Sequence, residues 1–379
     1  MSEKLDIFSL SKYTFNLLEH KSKEVKSAEL YFSKSKYISI EVEENSVKNS
    51  EMGSDIGASI RIFDTRGSLG FAITNKVNKS TLERMITNAL KLMQSGTMDQ
   101  DFRDLPSHYK NYPKVRGLYD AELKQMQLED SLGYVKDLIN ICKQDELAIS
   151  QSAQFSSTYA KTYIFNTNGV EINGKDTICS IVSNMIVKDK MSNETSFGYD
   201  WQSERSVSKI NASEIAYNAL NEAKGNLNRV KIKSNTLPLF LTPTGTINLI
   251  LRPIASAVNA ESYQYNRSFL VGKKNQVIGS NYLNVHDNAL IDDAAGSSIF
   301  DGEGVPCKDK TLFQNGKFLE TGLLHNSYTA GKYNIESTGN AARSSYTSIP
   351  SIGISNIILD PGQNSQEDIL KDIKEGILL

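Results

Sequence analysis

The sequence predicts an α+β protein in which two α/β-type units, N-terminal and middle, precede a β-rich C-terminal domain. Residues 79–94 and 120–144 carry apolar side chains at helical spacing, and runs that alternate between apolar and polar residues lie beside them. After residue 235 the chain is mostly strand-like or loop-like. We therefore divide it into an N-terminal domain, a linker, a middle helix–sheet domain and a C-terminal domain, at residues 1–100, 101–117, 118–230 and 231–379.

The N-terminal domain is predicted to begin with a helix over residues 8–18 and to end with a helix over residues 79–94. Between these helices, strands are predicted over residues 28–33, 37–44, 56–63 and 69–72. Ser80 is the predicted N-cap of the second helix, because a serine hydroxyl accepts a hydrogen bond from a free amide of the first turn.

Residues 101–117 are predicted to form a linker, since Pro106 and Pro113 stand among scattered charges without an apolar period. In the middle domain, helices are predicted over residues 120–144 and 213–223, with strands between residues 148 and 187. The Asn168-Gly169 pair predicts a hairpin there, because primed turns need positive φ at their central residues.

One helix stands out in the C-terminal domain, over residues 246–260. Its predicted apolar face comprises Ile247, Ile250, Leu251, Ile254 and Val258. Pro253 lies inside this pattern and has no backbone donor, so the helix is expected to kink there or to begin near it.

Composition excludes several classes of function. The net charge of −2 provides no basic surplus for nucleic-acid binding. No run approaches the roughly 20 apolar residues of a membrane helix, and the N-terminus shows no secretory signal. The three cysteines, Cys142, Cys179 and Cys307, are spaced too widely for a zinc knuckle or a redox pair. We therefore expect a cytoplasmic location.

Generic active-site motifs are missing from the sequence, which has no phosphate-binding loop, dinucleotide fingerprint or nucleophile elbow. The carboxylates of Asp292, Asp293, Asp301 and Glu303 are candidate cation ligands or acid–base groups, although acidic residues among glycines more often form turns. The four histidines form no helical pair. Cys307 has no visible activating group, so we interpret it as a passive thiol.

Several sequence blocks resemble the TldD/PmbA family, also called modulator of DNA gyrase, and they occur in the family's order. They are similar to its Gly-x-x-x-Arg strand, Gly-Phe-Ala strand, Asp-Gly-Glu-Gly segment, Asn-Gly hairpin and Ser-Thr-Gly-Asn-Ala-x-Arg block. These blocks lie at residues 57–61, 70–72, 301–304, 315–319 and 337–343. Each motif alone is weak, and together they are fairly specific.

The family comprises two kinds of subunit. The TldD kind is a zinc metallopeptidase with an HExxxH helix, whose histidines bind zinc and whose glutamate polarises water. The PmbA or TldE kind lacks these ligands and pairs with a TldD subunit. Here Arg252, Pro253 and Ala257 stand at the places of the first histidine, the glutamate and the second histidine. The resemblance therefore implies a non-catalytic subunit without metal or cofactor, with zinc in a TldD-like partner.

The resemblance further implies a heterodimer with that zinc peptidase, or self-association, around a chamber for unfolded or flexible peptides. No nucleic-acid or membrane partner is expected. Candidate substrate-binding residues are Asp301, Glu303, Asn340 and Arg343. The forked donors of Arg343 suit a peptide carboxylate or carbonyl. The alternative is that Arg343 pairs with Asp301 or Glu303 and locks the glycine-rich loops.

Three further expectations remain open. A stand-alone metal-dependent hydrolase would need an atypical site made from His286, His325 and the carboxylates at residues 292–293 or 301–303. A non-enzymatic modulator of a partner protein such as a topoisomerase is the other alternative. Family members usually extend beyond the equivalent of Leu379, so the chain is also expected to be a fragment or a shortened member.

Overall fold

The computed structural model describes residues 6–379, so the first five residues of the predicted N-terminal domain lie outside the described residues. The long strands are β1 Val25–Glu43, β2 Ser46–Asp64, β3 Leu69–Thr74, β4 Ala148–Asn166, β5 Glu171–Lys188 and β6 Thr195–Glu204. They form one antiparallel sheet in the order β3-β2-β1-β4-β5-β6. Because β1 pairs with β4, this sheet crosses the boundary between the predicted N-terminal and middle domains.

Helices cover one face of this sheet. They are α1 Ile7–Lys21, α2 Lys79–Ser95, α3 Ala121–Gln125, α4 Leu128–Gln144 and α5 Ala212–Gly225, with a 3-10 turn at Val207–Lys209. Strand β1 contributes to two cores, with Leu30 and Phe32 under α1 and α2 and Ile38 and Ile40 under α4 and α5. Since alternate residues of a strand point to the same side, both cores lie on one face. The opposite face is free to receive the C-terminal domain.

The predicted single helix over residues 120–144 is two helices, and this prediction was wrong about its continuity. Asp120 caps α3 by accepting a hydrogen bond from the amide of Glu122 at 2.8 Å. At the break, Asp130 accepts a hydrogen bond from the amide of Gln127 at 3.0 Å and so begins α4. The two predicted strands over residues 28–33 and 37–44 are likewise the single strand β1.

Helix α2 is capped by Asn78 and not by the predicted Ser80. The Asn78 side chain accepts a hydrogen bond from the amide of Thr81 at 3.0 Å, and the Thr81 hydroxyl accepts one from the amide of Asn78 at 3.2 Å. This reciprocal pair is a capping box, which satisfies two free donors and therefore outcompetes a lone serine.

The segment between α2 and α3 has neither helix nor strand within the described chain, and it ties the sheet to the C-terminal domain. The carbonyl of Pro106 accepts a hydrogen bond from Asn166 of β4 at 2.7 Å. Tyr112 donates its hydroxyl proton to the carbonyl of Gly304 at 2.8 Å.

The C-terminal domain consists of short strands, short helices and long loops. Its helices are α6 Pro243–Thr246, α7 Arg252–Ala257, α8 Ala260–Gln264, α9 Ser327–Lys332 and α10 Gln366–Asp372. Its strands are β7 Leu239–Phe240, β8 Val285–Asn288, β9 Asp309–Gln314, β10 Lys317–Phe318, β11 Ala341–Ala342, β12 Ser351–Ile352, β13 Ile357–Leu359 and β14 Ile377–Leu378. They form a sheet in the order β10-β9-β8-β13 and the pairs β11-β12 and β7-β14.

The predicted helix over residues 246–260 is continuous from α6 to α7 but contains a π-helical turn, Ile247–Leu251. In this turn the amide of Arg252 donates to the carbonyl of Ile247, five residues earlier. Pro253 explains the turn, because it has no amide proton for the carbonyl of Leu249 and its ring crowds that carbonyl. The expected distortion at Pro253 is therefore confirmed, while α8 begins as a separate helix.

The mixture of helices and sheets confirms the predicted α+β fold class. The hairpin predicted at Asn168-Gly169 joins β4 to β5, and Gly169 has a positive φ of 93°. Asn168 has no positive φ, so the prediction of a primed turn there was wrong. Within residues 6–379, no helix has both the length and the apolar character needed to cross a membrane.

The packing of α5 on β6 depends on the absence of a side chain at Gly198. A Cβ atom there would lie 2.3 Å from the carbonyl oxygen of Ala219. We expect Gly198→Ala to lower the free energy of unfolding by about 1–3 kcal/mol in urea denaturation. Gly133 in α4 has nothing within 4 Å of an added Cβ, so the control Gly133→Ala is expected to raise this free energy by about 0.5–1 kcal/mol. Equal effects would contradict the close contact.

Candidate functional site

Two charged residues face each other on the sheet side that the C-terminal domain covers. Glu29 of β1 and Arg61 of β2 are directly opposite in the antiparallel register. Arg61 donates from Nε and Nη2 to the two carboxylate oxygens of Glu29, at 3.0 and 2.6 Å. Both side chains are buried. This two-pronged geometry is the strongest arrangement for a guanidinium–carboxylate pair.

The C-terminal domain adds Glu303 to this pair. Glu303 accepts a hydrogen bond from Nη2 of Arg61 at 3.0 Å. It also accepts from the amide of Ser327 at 2.8 Å and from the Ser327 hydroxyl at 2.7 Å. A contact between residues 61 and 303 therefore fixes the C-terminal domain on the sheet.

Asp301 shapes the loop that presents Glu303. One carboxylate oxygen of Asp301 accepts hydrogen bonds from the amides of Glu303 and Val305, at 2.8 and 2.9 Å. The other oxygen accepts from the amide of Ala341 at 2.9 Å. Gly304 completes the turn with a φ of 79°, a conformation that favours glycine. Asp301 thus organises the loop backbone.

Arg343 completes the group that we call the charge cluster: Glu29, Arg61, Glu303 and Arg343. Its Nη2 pairs with Glu29, and its Nε donates to the carbonyl of Gly302 at 2.7 Å. The alternative expectation was that Arg343 pairs with Asp301 or Glu303. It was wrong about the partner, which is Glu29. Glu303 is already held by Arg61 and Ser327, and Asp301 by backbone amides, so Glu29 is the partner that remains.

The protonation states follow from burial and from these contacts. Burial opposes ionisation of Glu29, but the guanidiniums of Arg343 and Arg61 outweigh burial and lower its pKa. Burial likewise opposes charge on Arg61, but Glu29 and Glu303 raise its pKa. For Asp301, burial and the nearby Glu303 raise the pKa to about 7, against the effect of its three amide donors.

Asn340 belongs to a second buried network. Its amide nitrogen donates to Asp287 at 2.8 Å and to the carbonyl of Gly353 at 2.9 Å. Its amide oxygen accepts from Lys310 at 3.0 Å and from Thr338 at 2.8 Å. These four hydrogen bonds use the full capacity of a primary amide. Asn340 therefore has no group left for a ligand and positions the surrounding loops.

A cavity of 510 Å³ lies between the sheet and the C-terminal domain. Three of the four candidate substrate-binding residues, Asp301, Asn340 and Arg343, line it together with Tyr31 and Asp176. Glu303 is not among the lining residues. The structure thus brings three of the candidates to one cavity and places Glu303 within the charge cluster beside it.

The residues at the places of the HExxxH motif offer no metal site. Arg252 and Pro253 are exposed, and Ala257 is buried in the core with Leu251 and Ile254. A guanidinium, a proline ring and a methyl group have no lone pair to give to zinc at neutral pH. These residues therefore do not fit the zinc ion that an HExxxH helix would hold.

The residues of the atypical metal site are not brought together. His286 lies beside Asp309 and Asp360, with N–O distances of 3.7 and 3.6 Å. Burial and Lys274 lower the pKa of His325 to about 4. Asp292 pairs with Arg116 at 2.7 Å. Among residues 6–379, no three His, Cys, Asp or Glu side chains are grouped in a way that could hold a metal ion.

Cys307 is a buried thiol, and burial raises its pKa to about 12, so it is protonated at neutral pH. This state fits the interpretation of a passive thiol.

Sequence reasoning missed three members of the site: Glu29, Arg61 as an ion-pair partner, and Ser327. A signal for the first two was present, because each is a charged residue inside a strand whose neighbours are apolar. Ser327 had no comparable signal, since its role depends on where α9 meets the loop at Glu303.

We expect Glu29→Gln to lower the free energy of unfolding by roughly 3–5 kcal/mol, because it leaves Arg343 buried without a counter-charge and Arg61 with Glu303 as its remaining counter-charge. Urea denaturation at neutral pH measures this loss. Glu146 pairs with Lys190 at 2.6 Å on the exposed surface. The control Glu146→Gln is expected to leave the unfolding midpoint unchanged. A similar midpoint for both variants would contradict the role of the charge cluster.

Asp301 is expected to make the stability depend on pH. Between its unfolded pKa near 4 and its folded pKa of about 7, the fold retains a proton that the unfolded chain has released. The contribution of Asp301 to stability is therefore fully present below pH 4 and is lost as pH rises to 7. The difference in unfolding free energy between wild type and Asp301→Asn should fall over this range. A difference that stays constant from pH 4 to pH 8 would rule out the shift.

Comparison with known proteins identifies the family to which this chain is related. Residues 28–92, 121–227 and 234–379 match models described as PmbA/TldA metallopeptidase domain 1, central domain and C-terminal domain. A metalloprotease of Methanocaldococcus jannaschii is 27% identical over 349 residues, which are 90% of this chain and 74% of that protein.

Two crystal structures share the fold, each with a TM-score of 0.86. One is a proposed modulator of a DNA gyrase from Thermotoga maritima, at 21% identity over 98% of this chain and 82% of that chain. The other is TldE from Thermococcus kodakarensis, at 22% identity over 97% of this chain and 81% of that chain. With all three domain models matched in order, the chain belongs to the TldD/PmbA family of metallopeptidase-related proteins.

Proposed function

We propose that this chain is a zinc-free, PmbA/TldE-like subunit of a TldD/TldE-type metallopeptidase that processes unfolded or flexible peptides in the cytoplasm. A TldD-like partner supplies the zinc and the catalytic glutamate. The observation that carries the proposal is the helix with Arg252, Pro253 and Ala257 at the HExxxH places.

The packing of this helix supports a retained scaffold. Ile254, Ala257 and Val258 are buried in the core of the C-terminal domain, so the helix keeps the inward face that a family fold needs. The changes fall on residues that supply chemistry, and the adjacent π-helical turn accommodates Pro253. A chain that keeps the fold of a peptidase without its zinc ligands can still act as a structural or substrate-binding subunit.

A role in peptide binding is supported by the cavities beside the charge cluster. Asp301 and Arg343 line the 510 Å³ cavity, which is within the size range of ligand sites. Their main hydrogen bonds go to the protein, so we assign them to shaping this cavity. The rigid charge cluster keeps its wall fixed, which lowers the entropic cost of holding a flexible ligand.

Co-expression with a TldD-like chain that carries an intact HExxxH tests the proposal. The two chains are expected to co-purify in size-exclusion chromatography, and the pair is expected to hydrolyse an unfolded protein such as reduced casein. This chain alone is expected to show no hydrolysis, since its motif residues offer no general base. Replacing the glutamate of the partner's HExxxH should abolish activity while leaving the complex intact.

Two outcomes would contradict the proposal. One is hydrolysis by the isolated chain at the rate of the pair. The other is failure to co-purify with any TldD-like chain encoded in the same genome. Glu146→Gln serves as the control variant, because Glu146 lies on the surface away from the charge cluster and should leave both results unchanged.

A further inference from the structure

A second cavity lies on the other side of the charge cluster. Its volume is 360 Å³, within the range of small-ligand pockets. We call it the Arg61 cavity. The residues that matter below are Arg61, Phe63, Asp99, Phe102, Glu261 and Asn326, all of which line it. None of the candidate substrate-binding residues predicted from the sequence belongs to this lining.

Arg61 brings unused donors to this cavity. Its Nε and Nη2 atoms are taken up by Glu29 and Glu303. No acceptor among residues 6–379 pairs with its Nη1, which carries two further N–H groups. The Arg61 side chain is only 5% exposed, but its unpaired Nη1 is not among the fully buried atoms, so this end of the guanidinium is open to the cavity. A ligand acceptor inside the cavity can therefore pair with Nη1.

Asn326 brings a second set of unused donors. Its Oδ1 atom accepts hydrogen bonds from the amide of Thr329 at 3.0 Å and from the Thr329 hydroxyl at 2.9 Å, which caps helix α9. These contacts fix the orientation of the amide group, so Nδ2 is the atom that remains available to donate hydrogen bonds. Within the described chain, Nδ2 of Asn326 has no acceptor, although the residue is only 6% exposed.

The other walls determine which acceptor fits. Asp99 and Glu261 bring carboxylates to the cavity, and Glu261 pairs with the exposed Arg267 at 3.4 Å. The charge cluster is neutral because two carboxylates balance two guanidiniums. A free carboxylate would therefore meet repulsion, whereas an uncharged carbonyl would not. The rings of Phe63 and Phe102 stack with centroids 3.8 Å apart and provide an apolar wall.

We propose that the Arg61 cavity binds a peptide segment by its uncharged backbone carbonyl, held by Arg61 and Asn326. An apolar side chain of the segment packs on Phe63 and Phe102, and a basic group lies beside Asp99 and Glu261. The peptide nature of the ligand rests on the proposed function, while the site itself rests on the unused donors and the charges of the walls.

Isothermal titration of the purified full chain with blocked peptides tests this site. The probe is acetyl-Lys-Leu-Gly-amide, and the comparison peptides are acetyl-Glu-Leu-Gly-amide and acetyl-Lys-Leu-Gly with a free carboxylate. The blocked lysine peptide is expected to bind saturably and more tightly than both. In Asn326→Ser the hydroxyl still caps α9 but the amide donors are gone, so the Kd should rise about five- to tenfold.

A matched control and a second variant keep the result interpretable. Asn259 caps helix α8 by accepting from the amide of Ser262 at 3.1 Å and is not among the residues lining the cavity. Asn259→Ser is therefore expected to leave the Kd unchanged. If Asn326→Ser is unfolded by circular dichroism, Asn326→Thr takes its place, because a threonine hydroxyl also caps the helix, lacks the amide donors and adds no charge.

Three results would overturn the proposal: no saturable binding of the lysine peptide, equal binding of the acidic peptide, or an unchanged Kd in the folded Asn326 variant. The titration uses this chain alone, so such a failure is distinguishable from a failure to pair with a TldD-like subunit. Pairing without peptide binding would reject the Arg61 cavity only, and binding without pairing would reject the heterodimer only.

Discussion

The buried charge cluster is the constraint on which the rest of the structure depends. Moving a charged side chain such as Glu29, Arg61, Glu303 or Arg343 out of water costs roughly several kcal/mol per ion. This cost is offset only when each charge is paired and hydrogen-bonded, as it is here. Every member meets this condition only when the C-terminal domain sits on the sheet. The cluster therefore links the fold of strands β1 and β2 to one placement of the loop that carries Glu303.

This constraint also organises the two cavities. The 510 Å³ cavity borders the cluster at Arg343, and the 360 Å³ cavity borders it at Arg61. Two guanidiniums thus serve as structural ions on one side and as parts of cavity walls on the other. In the proposed role as a peptidase subunit without zinc, rigid walls matter more than reactive groups, and a paired buried cluster provides such walls.

Local sequence patterns predicted the elements whose stability is local. Helices α1, α2 and α5 and the hairpin at Asn168-Gly169 were predicted because apolar spacing and turn chemistry are properties of neighbouring residues. The break between α3 and α4 was missed, since Asp130 initiates a new helix inside a continuous apolar period.

The candidate site was predicted only in part. The resemblance named Asp301, Asn340 and Arg343 as candidates, and in the structure they line one cavity. No local pattern shows that Glu29 is the partner of Arg343, 314 residues away. Likewise, three of the four hydrogen bonds of Asn340 go to residues that are distant in sequence, and only the bond from Thr338 is local. Contacts between distant segments follow from the tertiary packing, and they could not be predicted from a single sequence.

In the proposed role, this chain holds no zinc of its own. The most direct test is the metal content of the purified chain after equilibration with excess Zn²⁺ and desalting, measured by mass spectrometry alongside His325→Ala. We expect far less than one zinc per chain in both proteins, because Arg252, Pro253 and Ala257 offer no ligand. One tightly bound zinc per chain that is lost in His325→Ala would contradict it.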